Sequence, residues 1–323
     1  MSQPTDPVED GYDGDDDLYD VTRWEVRSPV DRLATAIHGA ITNNKGRFLV
    51  ALALLVFLGQ LGLTGYAIAT SPTLGVLTLI SVVPAFALAA FIWYEDVTMR
   101  EPWETLAITF LLGVLFASFA AVVNSALKLA FGLIPLVGTI LFFFLVVGPI
   151  EETVKILAVR VHAFNTSEFD AVVDGAVYGA VAGLGFATIE NSLYITREVL
   201  TAAQNSGAAS QLQVALQTAT SRAFAGPGHV IYSAFAGYYL GLAKFNPENR
   251  GPIVVKGLLI ATVIHATYNT LVTVLPFGGG VAFIGFVILY DGVFGYLLYR
   301  KLARYKHRHR EATTQKQAVA TDD

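Results

Sequence analysis

The chain is 323 residues long, 54% hydrophobic and only 15% charged, with a mean hydropathy of +0.54; soluble domains carry about 25% charged residues, so a soluble protein of this size is excluded. The net charge of −5 is unevenly spread, because residues 1–20 hold eight acids and no base, which leaves +3 for the remainder. With no cysteine, disulfides, thiolate metal sites and a cysteine nucleophile are excluded, and basic residues that flank apolar runs without forming a face exclude a nucleic-acid partner.

In chain order, segment 1–47 reads as an acidic, disordered and solvated tail, having little apolar material to fold around. It lacks the basic start and apolar stretch of a signal peptide. Within it Leu33, Ala36, Ile37, Ala40 and Ile41 have the spacing of a helix lying along the membrane surface. From 48 to 300 follow eight apolar segments that meet the requirement of about 20 residues per membrane helix: 48–69, 74–94, 105–131, 136–162, 171–196, 222–243, 253–275 and 280–300. The 197–221 connection, rich in Gln, Ala, Ser and Thr, is expected to be an exposed, partly helical loop. Residues 301–323 form a basic cytoplasmic tail. The fold class expected is all-α, a polytopic membrane helix bundle of about eight transmembrane helices in the lipid bilayer of the cell membrane. With the amino terminus inside, 18 Lys and Arg residues fall on the inner side and three (Lys128, Arg197 and Arg222) on the outer, so both termini are expected in the cytoplasm.

Ionisable groups at mid-span cost at least about 2.5 kcal/mol each, so their presence points to function. Apart from Gln60 and Asp291, the first, second and eighth spans have essentially none, whereas spans four to seven carry Glu151, Glu152 and Lys155, then Asp174, Glu190 and Asn191, then His229, then His265 and Asn269. At about 1.5 Å rise per residue, Glu151 lies roughly 18 Å below the outer end of its span, Glu190 and His229 roughly 10 Å, and His265 roughly 15 Å. All four fall in the outer half of a hydrocarbon core about 30 Å thick. His265 and Asn269 share a helix face, and Glu151 precedes Lys155 by four residues, the better order for an ion pair. Adjacent Glu151 and Glu152 diverge by about 100° and are expected to do different work. Gly175, Gly179 and Gly183, and Gly237 with Gly241, form small-residue stripes that let helices approach, and Gly226-Pro227-Gly228 is expected to break or delay the helix before His229. Each residue alone has an ordinary reading: Glu151 with Lys155 as a structural ion pair, His229 and Asn124 as interhelical hydrogen-bond partners, Asp174 as a structural acid near the cytoplasmic boundary, Lys128 as an outward-reaching lysine. Their common depth favours a site.

Four stretches also resemble motifs of the PrsW family of intramembrane proteases, within the wider superfamily of CAAX prenyl endopeptidases and Abi proteins. Glu151-Glu152-Thr153-Val154-Lys155 resembles EExxK, Gly185-Phe186-Ala187 through Glu190-Asn191 resembles GFAxxEN, Arg222 with Gly226-Pro227-Gly228-His229 resembles the third motif, and His265 through Asn269 resembles HxxxN. The loop from Tyr94-Glu95-Asp96 to Arg100-Glu101-Pro102-Trp103 resembles the family's acidic loop. The resemblance covers roughly residues 90–275. It implies that 48–300 is a catalytic domain hydrolysing a peptide bond of a membrane-anchored protein, with first cleavage of an anti-sigma-factor-like substrate as the best-known case. It further implies Glu151 as general base on a water, and His265 and Asn269 as oxyanion donors. Glu190 shares the water or the leaving-group proton, and takes the place of the histidine found in the CAAX branch. Glu152, Asn191 and His229 orient these groups, and Lys155 neutralises the acid pair. No cofactor is expected; zinc on two histidines and a carboxylate is the alternative, although no HExxH pair is present. The competing classes are a proton- or cation-coupled transporter, against which the two halves show no internal correspondence, and a non-enzymatic membrane sensor or scaffold.

Overall fold

In lipid every backbone N–H and C=O must find its partner within the segment, so apolar runs of this length become helices. The computed structural model describes residues 6–11, 14, 17–41, 58, 72–96, 101–135, 137–205 and 208–322, and among them the regular structure is all helical. Two short helices open the chain, α1 (Pro7–Gly11) and α2 (Pro29–Ile41). They are followed by α3 (Pro72–Tyr94), α4 (Trp103–Gly132), α5 (Gly138–Phe142), a π-turn (Phe143–Val147) and α6 (Gly148–Val161). Then come α7 (Val172–Asn205), α8 (Ala208–Phe245), α9 (Arg250–Val274) and α10 (Gly280–Asp322).

Five of the described helices are long and apolar enough to cross a membrane: Gly75–Tyr94, Trp103–Gly132, Val172–Val199, Pro247–Val274 and Gly280–Gln315. The expected fourth span is the α5–π–α6 unit, whose apolarity is interrupted by Glu151, Glu152, Lys155 and Arg160, and the sixth lies in α8, diluted by Gly, Ser, Tyr and His. The first expected span, 48–69 with Gln60, lies outside the described residues.

α7 is the central element, with 94% of its apolar window buried against 17% for α10. Its glycines explain how it gets there. A Cβ on Gly175, Gly179 or Gly183 would come within 2.3 Å of the carbonyl oxygens of Gly237, Ser233 or His229, so α7 and α8 touch backbone to backbone. On another face a Cβ at Gly185 would meet the Phe110 carbonyl of α4 at 2.2 Å. α7 is thereby held against α8 and α4 at once.

Three local expectations are corrected. Residues 197–221 are largely the continuation of α7 and α8 rather than a loop, which suits their many Ala and Gln residues. α8 runs unbroken through Pro227, since neighbouring groups in a membrane bundle can re-satisfy the carbonyl that proline frees. The break falls instead in the π-turn just before Pro149, whose ring could not accommodate the carbonyl four residues back in a regular helix.

The amino-terminal segment, expected to be disordered, is packed over residues 6–11 and 17–41. Val8, Leu18, Val21 and Trp24 are buried. Asp6 Oδ2 accepts the Val172 N–H at the start of α7 (2.9 Å), and the Tyr305 hydroxyl donates to the same carboxylate. Lys256 Nζ lies 3.0 Å from Asp20 and 2.9 Å from Asp31, and Lys301 Nζ lies 2.7 Å from Asp20. Asp20, one of the acids that suggested a solvated tail, is a partner for lysines more than 200 residues away. The expected surface helix is α2, laid against α9 so closely that a Cβ on Gly251 would overlap the His38 ring. At the other end, α10 continues through residue 300 without a break.

Candidate active site

α6, α7, α8 and α9 bring Glu151, Glu152, Lys155, Glu190, His229 and His265 into one buried cluster. Glu151 Oε1 accepts a hydrogen bond from Asn124 Nδ2 of α4 at 2.9 Å. Its Oε2 has no hydrogen-bond partner and faces His265 Nε2 at 3.7 Å. Glu152, one residue on and therefore turned to another face, uses Oε1 for both Lys155 Nζ and His265 Nδ1, each at 2.7 Å. Lys155 Nζ also donates to His229 Nδ1 at 3.0 Å and stands 4.4 Å over the Phe186 ring. The ion pair expected between Glu151 and Lys155 is thus formed with Glu152 instead, across one helical turn of three residues. Glu151 is engaged by α4, which leaves the lysine to the other acid.

The second half of the cluster is built on α7 and α8. His229 Nε2 lies 2.7 Å from Glu190 Oε2, and Arg222 NH2 pairs with the same oxygen. Arg222 Nε also donates to Asn191 Oδ1 at 2.8 Å, while Asn191 Nδ2 donates to Ser81 Oγ of α3 at 3.0 Å. The His229 and His265 rings meet edge to face at 5.2 Å. Tyr232 packs 5.4 Å from His265 and donates its hydroxyl to Asp291 at 3.0 Å.

These contacts assign protons. Lys155 can only donate, so His229 Nδ1 is an acceptor and its Nε2–H points to Glu190. Glu152, ionised beside Lys155, takes the Nδ1–H of His265, so a neutral His265 turns an unprotonated Nε2 toward Glu151. That atom accepts rather than donates, which differs from the oxyanion-donor role implied by the resemblance. The charges do not balance either. Three carboxylates (Glu151, Glu152 and Glu190) face two cations (Lys155 and Arg222), leaving one negative charge that a proton or a bound cation can compensate.

The donor set also fits a metal ion. Ligand atoms of Glu151, His229 and His265 all lie within 4.8 Å of one another. Two imidazoles and a carboxylate are a catalytic zinc set, the orphaned Glu151 Oε2 is a free ligand atom, and Glu152 behind His265 is the carboxylate–histidine backing that metal sites use.

Not every expected residue joins the cluster. Asn269 is half-buried one turn beyond His265; its carbonyl accepts the Thr273 hydroxyl at 2.7 Å, and its side-chain amide makes no hydrogen bond with another described residue. Asp174 is remote, its Oδ2 accepting the Asp170 and Ala171 N–H groups at the start of α7, in keeping with its structural reading. Conversely, Arg222, Asn124 and Tyr232 pack into the cluster although sequence reasoning counted Arg222 on the outer side and in the third motif without giving it a role, gave Asn124 an interhelical bond and gave Tyr232 nothing. Arg222 carried a signal in its spacing, seven residues or two turns before His229 on the same face of α8.

Residues 101–293, more than half of the chain, match the PrsW family intramembrane metalloprotease. The chain is 29% identical over 191 residues to Protease PrsW of Halalkalibacterium halodurans, covering 59% of this chain and 80% of that protein. It is 30% identical over 191 residues to Protease PrsW of Geobacillus kaustophilus (59% and 76% covered) and 27% over 197 residues to that of Bacillus subtilis (60% and 81%). No solved structure matches. The matched stretch contains the whole Glu151–His265 cluster, and the chain belongs to the PrsW family of intramembrane proteases, as a multi-pass protein of the cell membrane.

Proposed function

We propose that the chain is an endopeptidase that cuts a membrane-anchored protein, such as an anti-sigma factor, with water activated between Glu151 and His265. The bundle has eight spans with both termini in the cytoplasm, and the family groups with the CAAX prenyl endopeptidases and Abi proteins. The observation that carries this reading is the pair of buried acceptors, Glu151 Oε2 and His265 Nε2, facing each other at 3.7 Å. Such a gap suits a water that donates to both sides, or a cation. Asn124 keeps Oε2 aimed at the gap by holding Oε1. In the metal-free form Glu151 Oε2 takes the proton of the attacking water and returns it to the amine nitrogen as the C–N bond breaks. Glu152 fixes the His265 tautomer, Lys155 balances Glu152, and Arg222 with His229 holds Glu190 at the edge of the pocket. Asn269, one turn from His265, is the amide donor for the developing oxyanion.

In a metal-dependent form Glu151, His229 and His265 would hold a zinc-like ion, and Glu190 would be the proton acceptor. The chemistry supplied there would be polarisation of the scissile carbonyl and a lowered pKa for water. One feature favours the metal-free form: both ring nitrogens of His229 are engaged, by Lys155 and by Glu190, so ligation has to displace one of them. The test is cleavage of a single-span substrate in reconstituted membranes. Glu151→Gln and His265→Ala each abolish cleavage in either form, and normal processing by Glu151→Gln removes the proposal. Inactivation by a chelator with recovery on zinc assigns the ion, whereas indifference to the chelator assigns the glutamic form.

A further inference from the structure

A second cluster lies far from the Glu151 site and independent of it. Asp96 follows α3, Glu101 precedes α4, and Asp174 stands in the first turn of α7. One carboxylate oxygen from each lies within 4.8 Å of the others. Glu101 is only 2% exposed, yet outside the three acids neither of its oxygens meets a hydrogen-bond donor among the described residues. Asp174 is fully buried, with Oδ2 held by two backbone N–H groups. Tyr178, one turn further along α7, lies within electrostatic reach of Glu101 and Asp174, with the Thr105 hydroxyl of α4 beside its own.

Among the described residues, two nearby lysines have other partners. Lys244 Nζ donates to the carbonyls of Phe164, Thr166 and Phe169, and Lys306 pairs with Glu95. Asp170 adds another acid close by, and His309 lies within electrostatic reach of Asp96 and Asp170. A buried carboxylate with no hydrogen-bond donor among the described residues, as at Glu101, is strongly disfavoured, and crowding acids around it makes it worse. The sixteen residues between Asp174 and Glu190 put the two clusters about 24 Å apart along α7.

We propose that Asp96, Glu101 and Asp174 bind a hard divalent cation, of the Ca²⁺, Mg²⁺ or Mn²⁺ class, that clamps the end of α3 and the start of α4 onto the start of α7. The ligand chemistry sets the class: three carboxylates with no imidazole among the ligands favour oxygen-seeking ions over zinc. The clamp is structural and long-range, because α4 carries Asn124 and α7 carries Glu190, so it fixes the register of two helices that frame the active site.

The experiment uses the full-length protein, stripped of metal in detergent, in a Glu151→Gln, His265→Ala background that silences the first cluster. Mn²⁺ binding is followed by electron paramagnetic resonance, and Ca²⁺ by its effect on thermal unfolding. The expected result is one saturable Mn²⁺ per chain, competed by Ca²⁺, with affinity reduced at least tenfold by Glu101→Gln and by Asp174→Asn, and a Ca²⁺-dependent rise in unfolding temperature that both variants lose. If Asp174→Asn fails to fold because a cap of α7 is weakened, Asp96→Asn, on the partly exposed ligand, carries the same expectation. Saturable binding that survives Glu101→Gln overturns the proposal. So does the absence of saturable binding at millimolar Ca²⁺, Mg²⁺ and Mn²⁺, which would make Glu101 a buried neutral acid.

Discussion

Replacing Lys155 by Met removes the ammonium that donates to Glu152 Oε1 at 2.7 Å and to His229 Nδ1 at 3.0 Å, while keeping most of the apolar stem. Both side chains of the Lys155–Glu152 pair are 0% exposed. Without the lysine, Glu152 is left buried with His265 as its remaining partner. Breaking a buried ion pair from one side costs about 3–5 kcal/mol, a large part of a typical stability of about 5–15 kcal/mol; uptake of a proton by Glu152 offsets some of it. The double variant Lys155→Met, Glu152→Gln removes both charges and is expected to regain most of the lost stability, since deleting both members of a buried pair is often near neutral. Activity is not regained. His265 loses the charged acceptor on Nδ1, and His229 loses the donor that turns its Nε2–H toward Glu190. Thermal unfolding in detergent, run beside cleavage of a reconstituted single-span substrate, separates the two effects. A single variant as stable as wild type refutes the buried pair, and a double variant cleaving at the wild-type rate refutes its role in orienting the histidines.

Gly183→Ala places a methyl 2.3 Å from the His229 carbonyl oxygen; it should destabilise by about 1–3 kcal/mol and lower cleavage at least tenfold, whereas Gly285→Ala, with nothing within 4 Å, should change neither. Equal behaviour of the two variants in the same unfolding and cleavage assays would show that α7 and α8 are not in backbone contact. For the amino-terminal segment, burial pushes the Asp6 carboxyl from 3.8 up to about 6, although hydrogen bonds from Val8, Val172 and Tyr305 pull it down. Because the packed state holds the proton more tightly, docking is strongest below pH ~4 and weakens by about 3 kcal/mol as pH rises through 6. Hydrogen exchange of residues 6–11, corrected for intrinsic rates, should show less protection at pH 7 than at pH 5, with the dependence lost in Asp6→Asn; protection that grows with pH contradicts the assignment.

Much of the fold was legible in linear order because lipid imposes a local rule. An apolar run of spanning length has to satisfy its own backbone, so composition places helices such as 103–132 and 172–199 with no knowledge of their neighbours. Polar residues inside such runs stand out for the same reason, and Glu151, Glu190, His229 and His265 were visible as a set from their depth. The glycine stripes of 175–183 and 237–241 were legible too, since only small residues allow backbones to touch. Local rules misled where a distant partner decided the outcome. The acids of residues 1–20 looked like a solvated tail until Lys256, Lys301 and the start of α7 came within reach. The glycine–proline step in α8 looked like a break until packing carried the helix through it.

Which atoms meet is a different kind of information. Spacing allowed Lys155 to reach either Glu151 or Glu152, and an asparagine on another helix settled the choice by engaging Glu151 first. The tautomers of His229 and His265 depend on donors from α6, and the half-buried position of Asn269 depends on how α9 is rotated against its neighbours. Periodicity and composition are properties of one segment in one solvent, so residue order carries them. Pairing and proton placement arise from competition among side chains on several helices for the same buried partners, and that competition exists only once the bundle has closed.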